Sequence, residues 1–131
     1  MEANTLIKAE RLCSRKAIET LFAGSAKSFS SFPLRVVFLP VGCTGDVPAT
    51  FMVSVSKKRF KRAVKRNRVK RQVREAYRKN KQNLWKVLAE KQLSLHLAFI
   101  YLDKELRSSA EIEGKVTFLL QRIVDYLQRE S

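Results

Sequence analysis

KKRFKRAVKRNRVKRQVREAYRK, residues 57–79, is the most strongly charged stretch of this sequence. The interpretation of the whole chain depends on this stretch. Residues 57–81 hold 14 Lys and Arg but one acid, Glu75, which gives a local charge of +13. The stretch looks like a single helix, and like charges one helical turn apart repel by roughly 0.2–0.5 kcal/mol per pair. A helix that keeps so many such pairs is typical of a protein with a polyanionic partner.

The composition indicates one domain that spans residues 1–131. The chain is 45% hydrophobic, and outside the basic stretch it holds 13 basic and 11 acidic residues. A nearly neutral domain with one concentrated basic segment favours a nucleic acid over an anionic membrane as its partner. No apolar run reaches membrane-spanning length, and the N-terminus MEANTLIKAERL does not resemble a signal peptide, so we expect a cytoplasmic protein.

The first half of the chain predicts a helix followed by two strands. SRKAIETLF, residues 14–22, carries apolar residues at helical spacing, and AGSAKSFS, residues 23–30, breaks that periodicity. FPLRVVFLP (32–40) and TFMVSVS (50–56) are rich in β-branched and aromatic residues and predict strands, the first of them closed by its final proline. The segment between them, residues 41–49, contains glycine and proline and predicts a loop.

The second half predicts the basic helix, a third strand and a closing helix. The basic helix continues as far as Leu88, and LSLHLAFIYL, residues 93–102, is apolar enough to lie in the middle of a sheet. Residues 108–130 predict the closing helix, in which Ser108 and Glu111 are spaced as a capping box. The order of elements predicts an α/β fold of the α+β type: a two-layer sandwich of a small central β-sheet with about three helices.

Apolar and basic residues occupy different sides of the basic helix. Successive residues lie about 100° apart, which produces an apolar stripe that must pack on the sheet and a separate polar arc. The stripe consists of Val69, Val73, Ala76 and Tyr77, and the arc of Asn67, Lys70, Arg71, Arg74 and Arg78. Solvated faces normally interleave acids, so an arc of one sign favours nucleic-acid binding. Arginine can hold two phosphate oxygens, and the Asn67 amide can either contact a base edge or 2′-hydroxyl or serve as a plain surface residue.

AVKRNRVKRQVREAYR, residues 63–78, closely resembles the signature of the protein subunit of bacterial ribonuclease P. That signature is an Ala-Val pair, Arg-Asn-Arg, Lys-Arg and a tail of Arg-Glu-Ala-aromatic-Arg, and the flanks SVSKK, ERLCSRKAIETLF and FPLRVVFL extend the likeness over nearly the whole chain. The resemblance implies an RNA-binding domain that binds a large catalytic RNA and assists endonucleolytic removal of the 5′ leader from precursor tRNA. Together with the polar arc and the loop before the helix, the resemblance predicts which residues bind RNA. They are Lys57, Lys58, Arg59, Lys61, Arg62, Arg66, Asn67, Arg68, Lys70, Arg71, Arg74 and Arg78.

The same resemblance implies a cleft for the single-stranded leader between the sheet and the first helix. Phe22 matches an aromatic position of that cleft, with a core role as the alternative, and Ile18 matches another that is not aromatic here. RFKR, residues 59–62, is one residue longer than the loop of many members and lacks glycine, so we expect extra phosphate contacts and a base or packing contact from Phe60. The family fold, shared with a ribosomal-protein domain, implies a left-handed crossover around the basic helix, against the general preference.

No residue is predicted to be catalytic or to bind a metal. A metal-dependent nuclease needs converging carboxylates, whereas the acids here are scattered, and His96 lies in an apolar strand where a structural role is favoured. The resemblance implies that the RNA and its bound Mg²⁺ hydrolyse the phosphodiester, so that the protein alone is inactive and binds no Mg²⁺ tightly. Cys13 and Cys43 lack the spacing of a metal motif and predict reduced, structural cysteines.

The predicted partners are the catalytic RNA, bound 1:1 by a monomeric protein, and the 5′ leader of precursor tRNA, with no membrane involved. One alternative is a ribosomal or ribosome-assembly protein, which would have similar charge and fold; a preference for precursor over mature tRNA separates the two. Another alternative is a DNA-binding module that uses the basic helix in a major groove. A strand precedes this helix where such modules have a helix and turn, which disfavours that reading.

Overall fold

The computed structural model describes residue 19, residues 26–42 and residues 49–129. Within these residues lie four strands and three helices, in the order β1 (Lys27–Ser31), β2 (Leu34–Gly42), β3 (Ala49–Val55), α1 (Ala63–Asn80), α2 (Gln82–Lys91), β4 (Leu93–Tyr101) and α3 (Ser109–Arg129). Glu19 is helical and exposed, and the rest of the predicted first helix lies outside the described residues. The predicted α+β sandwich is confirmed, with four strands in place of three.

The four described strands form one mixed sheet in the order β1-β2-β4-β3. Strand β2 pairs antiparallel with β1 and β4, whereas β3 lies parallel to β4. Parallel neighbours need a crossover connection, which α1 and α2 provide here. The topology therefore carries the basic segment across the sheet, while the left-handed sense of the crossover stays a prediction.

One face of the sheet forms the core with α1, α2 and α3. Every second side chain of β3 and β4 is buried on this face, and Tyr77 of α1 stacks on Phe51 with 4.2 Å between the ring centroids. The apolar side of α3 is buried in the same core; it includes Ile112, Val116, Leu119, Leu120, Ile123 and Leu127. The helices thus make one layer and the sheet the other.

Two expectations for the first half of the chain are wrong. Strand β1 lies in the segment that was predicted to be a break. The sequence gives no strand signal there because most residues of β1 are exposed and only Phe29 among them packs on the core. Strand β2 begins at Leu34 and continues two residues past Pro40, where the prediction ended it. Within the described sheet β1 reaches only to Phe38, so β2 has one neighbour at Pro40, and proline is tolerated at such edges.

The basic stretch is not a single helix. Residues 57–62 form a turn and a bend, and α1 begins at Ala63. Burial of the Phe60 side chain, of which 5% is exposed, requires the chain to turn before the helix starts. The helix α1 ends at Asn80, whose side-chain nitrogen donates to the Ala76 carbonyl at 2.8 Å. The predicted continuation towards Leu88 is the separate helix α2.

The remaining elements agree with prediction to within one residue at each described end. Strands β3 and β4 match residues 50–56 and 93–102, and α3 matches residues 108–130. The Ser108 hydroxyl accepts a hydrogen bond from the Glu111 backbone N–H at 3.2 Å, as the capping box predicts. The Glu111 carboxylate pairs with the Arg107 guanidinium.

Replacing Tyr77 tests how strongly α1 is held on the sheet. We expect Tyr77→Ala to lower the free energy of unfolding by about 3–5 kcal/mol, because it removes a fully buried ring from the core. The control Tyr77→Phe keeps the stacked ring but loses the hydroxyl that accepts from the Trp85 indole at 3.1 Å, so it costs about 0.5–1.5 kcal/mol. Urea unfolding followed by circular dichroism measures both values; similar losses from the two variants would contradict this packing.

Candidate RNA interface

The cations of α1 point away from the sheet because the opposite side of the helix is buried. Burial of Val69 and of Val73 stabilises this orientation by about 1.5–3 kcal/mol each. A like-charge pair costs only about 0.2–0.5 kcal/mol, so packing outweighs the repulsion that it creates. The resulting basic face of α1 consists of Asn67, Arg68, Lys70, Arg71, Arg74 and Arg78. All are exposed except Lys70 and Arg78, which are half-buried.

The N-terminus of α1 lacks the groups that normally stabilise a helix start. Its N-cap residue Arg62 makes no side-chain capping hydrogen bond, and the first turn contains no acid. Lys65 and Arg66 instead place positive charge near the positive end of the helix dipole, which costs about 0.3–1 kcal/mol per cation. Phosphate at this end would offset that cost, since helix N-termini attract anions.

The segment before α1, residues 57–62, forms what we call the basic loop. Its cationic side chains are exposed: Lys57, Lys58, Arg59, Lys61 and Arg62. Phe60 points the opposite way, into the core, where its ring lies 5.9 Å from the Tyr101 ring. Of the two contacts expected for Phe60, packing is confirmed, and a stacked base is incompatible with its burial.

Arg66 connects the basic loop to α1. One terminal nitrogen of its guanidinium, Nη1, donates to the carbonyl oxygens of Phe60 at 2.8 Å and Lys61 at 2.9 Å. The side chain is half-buried in consequence. The cations of the loop and of the helix are therefore parts of one continuous surface.

Glu75 lies next to the basic face of α1 and neutralises part of it. Its carboxylate accepts two hydrogen bonds from the Arg78 guanidinium, both 2.9 Å long. The hydrogen bond from Arg78 lowers the pKa of the Glu75 carboxyl, so the acid stays ionised. Arg78 is consequently the weakest phosphate-binding candidate of the face, and its i,i+3 spacing from Glu75 is the sequence signal that separates it from Arg74.

Three polar residues of the segment are not among the predicted RNA-binding residues, and the structure gives each a definite position. Lys65 is an exposed cation at the start of α1 that belongs to the interface by position. Lys81 is 1% exposed and lies over the Trp85 ring at 4.5 Å, so it is part of the core and not of the interface. Gln72 is buried and donates to the Arg107 carbonyl at 2.9 Å, which fixes α1 against the segment before α3.

The outer face of the sheet, opposite the helices, combines apolar and polar side chains. Val37 and Ala98 are buried there, with Met52 half-buried beside them. Arg35 is exposed on the same face and reaches the Ser28 hydroxyl at 3.4 Å. The predicted cleft residues, Ile18 and Phe22, lie outside the described residues, so their role stays a prediction.

The described residues contain no group of three or more His, Cys, Asp or Glu side chains that could hold a metal ion. His96 is half-buried on the outer face, and its Nδ1 lies 2.6 Å from the Thr50 hydroxyl oxygen. Burial lowers the pKa of His96 and so favours the neutral ring. A hydrogen-bonded structural histidine, as predicted, accounts for these contacts. Cys13 and Cys43 lie outside the described residues.

Comparisons with known proteins agree with the geometry. The sequence matches the Ribonuclease P family over residues 6–124. It is 47% identical to the ribonuclease P protein component of Porphyromonas gingivalis, over 90% of this chain and 85% of that protein. It is 34% identical to the ribonuclease P protein component of Chlorobaculum tepidum, over 75% of this chain and 68% of that protein.

Solved structures give the same result for the fold. The RNase P protein from Thermotoga maritima superposes with a TM-score of 0.67 at 25% identity and covers 86% of this chain and 96% of its own. The RNase P protein of Staphylococcus aureus superposes with a TM-score of 0.67 at 20% identity and covers 88% of this chain and 96% of its own. Among the residues that the structure describes, no helix is both long and apolar enough to cross a membrane.

Neutralising Glu75 tests the electrostatic description of the basic face. We expect Glu75→Gln to tighten binding to a structured RNA by about threefold, because it removes the acid beside the face and releases Arg78 from its ion pair. Filter binding at a fixed salt concentration measures the change. Glu90→Gln, an exposed acid on α2, is the matched control and should leave the affinity unchanged. Weaker binding by Glu75→Gln would mean that the ion pair itself orders the surface for RNA.

Proposed function

Because the chain belongs to the ribonuclease P protein family, whose protein component serves in tRNA 5′ processing, we propose that it binds the catalytic RNA through α1 and the basic loop. One copy of the protein binds one RNA in the cytoplasm. In that complex it assists endonucleolytic removal of the 5′ leader from precursor tRNA.

The observation that carries this proposal is the single sign of charge on a surface of defined shape. The basic loop and the basic face of α1 lie side by side, and Glu75 is the one acid in residues 57–81. Exposed arginines such as Arg71 and Arg74 can each hold two phosphate oxygens in a planar fork. Asn67 lies on the same face and adds an amide that can contact a 2′-hydroxyl or a base edge.

The proposal assigns the bond-breaking chemistry to the RNA subunit. Magnesium ions bound by RNA can activate water and stabilise the leaving oxygen in phosphodiester hydrolysis. The positive surface of the protein repels such ions and attracts the phosphates around them. The protein reduces the repulsion between catalytic RNA and substrate RNA and holds the two RNAs in a fixed relative position.

The outer face of the sheet is the proposed place for the 5′ leader. Unpaired nucleotides bind through stacking, ribose contacts and phosphate contacts, and this face offers apolar side chains beside Arg35 and the Ser28 hydroxyl. Ile18 and Phe22 belong to the same proposed cleft by family resemblance. Mature tRNA has no leader to occupy the face, so precursor tRNA should bind the complex more tightly.

Removal of two exposed arginines tests the assignment of the RNA-binding surface. We expect Arg71→Ala/Arg74→Ala to weaken binding to a bacterial ribonuclease P RNA and to lower the slope of log K against log salt by about 1.5, since each lost phosphate contact removes about 0.7–0.9. The matched control Lys86→Ala/Lys104→Ala removes two exposed cations that belong to neither α1 nor the basic loop. Affinity as a function of salt is measured for both pairs and the wild type.

Two outcomes would contradict the proposal. Equal losses in the two double variants would mean that net charge alone drives binding and that α1 is not the interface. Tight binding to ribosomal RNA, with no preference for ribonuclease P RNA or for precursor over mature tRNA, would support the ribosomal alternative.

A further inference from the structure

We propose that Arg66 is a positioning residue, which holds the basic loop in the shape that binds phosphate, and that its guanidinium is not itself a phosphate contact. This inference rests on the proposed function, since it concerns how the RNA-binding surface is built. It assigns the first arginine of the Arg-Asn-Arg run a role different from that of its neighbour Arg68.

The hydrogen bonds of Arg66 carry the inference. Its Nη1 donates to two consecutive backbone carbonyls, those of Phe60 and Lys61, at 2.8 and 2.9 Å. A charged donor makes a backbone hydrogen bond stronger than a neutral one does. These two bonds fasten the end of the loop to the first turn of α1.

The beginning of the loop is fixed by Ser56. Its carbonyl accepts hydrogen bonds from the backbone N–H of Arg59 at 3.0 Å and of Phe60 at 3.3 Å. Its hydroxyl accepts a third from the Lys58 N–H at 3.1 Å. The buried Phe60 ring anchors the middle against Tyr101. The loop is thus held at three points, of which Arg66 provides the one on α1.

The loop needs this fastening because its side chains repel one another. Five exposed cations lie within six residues, and no acid lies among them. Without Arg66 the two carbonyls would turn to water and the cations could move apart. A loop already fixed in its bound shape avoids an entropic cost that a mobile one pays on binding.

Arg68 provides the contrast that makes the inference testable. It is the same residue type, two positions further along α1, and its side chain is exposed and makes no hydrogen bond within the described residues. Replacing either arginine removes one positive charge. The loss of charge is therefore the same in both variants, and only the replacement of Arg66 also removes the hydrogen bonds that hold the loop.

Amide hydrogen exchange of the free protein is the first test. We expect Arg66→Ala to speed exchange of the Arg59 and Phe60 amides about tenfold or more, because the loop opens more often. Arg66→Met keeps the aliphatic stem and should have the same effect, which guards against a general loss of packing. Arg68→Ala should leave both amides unchanged. Unchanged exchange in both Arg66 variants would overturn the proposal.

A double-mutant cycle on RNA binding is the second test. The background is the loop variant Lys57→Ala/Lys58→Ala/Arg59→Ala, and the probe is a bacterial ribonuclease P RNA at fixed salt. If Arg66 acts through the loop, Arg66→Ala weakens binding about tenfold in the wild type but less than about threefold in the loop variant. Arg68→Ala should weaken binding by the same factor in both backgrounds.

The outcomes distinguish a failure of the role given to Arg66 from a failure of the proposed function. Equal losses for Arg66→Ala in both backgrounds would make Arg66 a direct phosphate contact and overturn the inference. If the wild-type protein does not bind the RNA, the proposed function fails, and the exchange experiment still decides whether Arg66 holds the loop.

Discussion

Tyr77 stacks on Phe51, at the C-terminal end of the narrow apolar stripe by which α1 packs on the sheet. This contact sets the rotation of the helix about its own axis. Once Val69, Val73 and Tyr77 are buried, the opposite side of the helix faces solvent, and most of the side chains on that side are cations. Burial of a few apolar side chains is worth several kcal/mol, which is enough to hold together a surface whose charges repel.

Repulsion among the cations of the basic loop and α1 accounts for several local features. The helix starts without an acid or a side-chain cap, so its N-terminus is left open to an anion. The basic loop before it has five cations among its six residues, and the sixth residue, Phe60, is buried in the core. The Glu75–Arg78 pair limits the charge at the other end of the face. The core and the contacts of Ser56, Phe60 and Arg66 stabilise the fold, and the exposed cations remain accessible to phosphate.

The faces of α1 were predictable because apolar and basic residues separate at helical spacing in the sequence. The buried stripe and the exposed arginines follow from that pattern, and the strand before the helix follows from the β-branched and aromatic residues at 50–56. The role of Phe60 was not predictable, since a phenylalanine among cations suits a stacked base as well as a core. The Arg66 bonds depend on where the loop lies in three dimensions, and spacing does not encode that. Strand β1 was missed because a polar edge strand with one half-buried ring has no alternating pattern.

In the proposed complex this protein supplies binding and positioning while an RNA supplies the chemistry. Reconstitution tests this division of roles most directly: purified protein is mixed with a bacterial ribonuclease P RNA at low magnesium, and 5′ cleavage of precursor tRNA is followed over time. Cleavage that requires both components, and disappears when the protein is heat-denatured, is the predicted result. Cleavage by the protein alone, or no stimulation of the RNA at any magnesium concentration, would contradict the account.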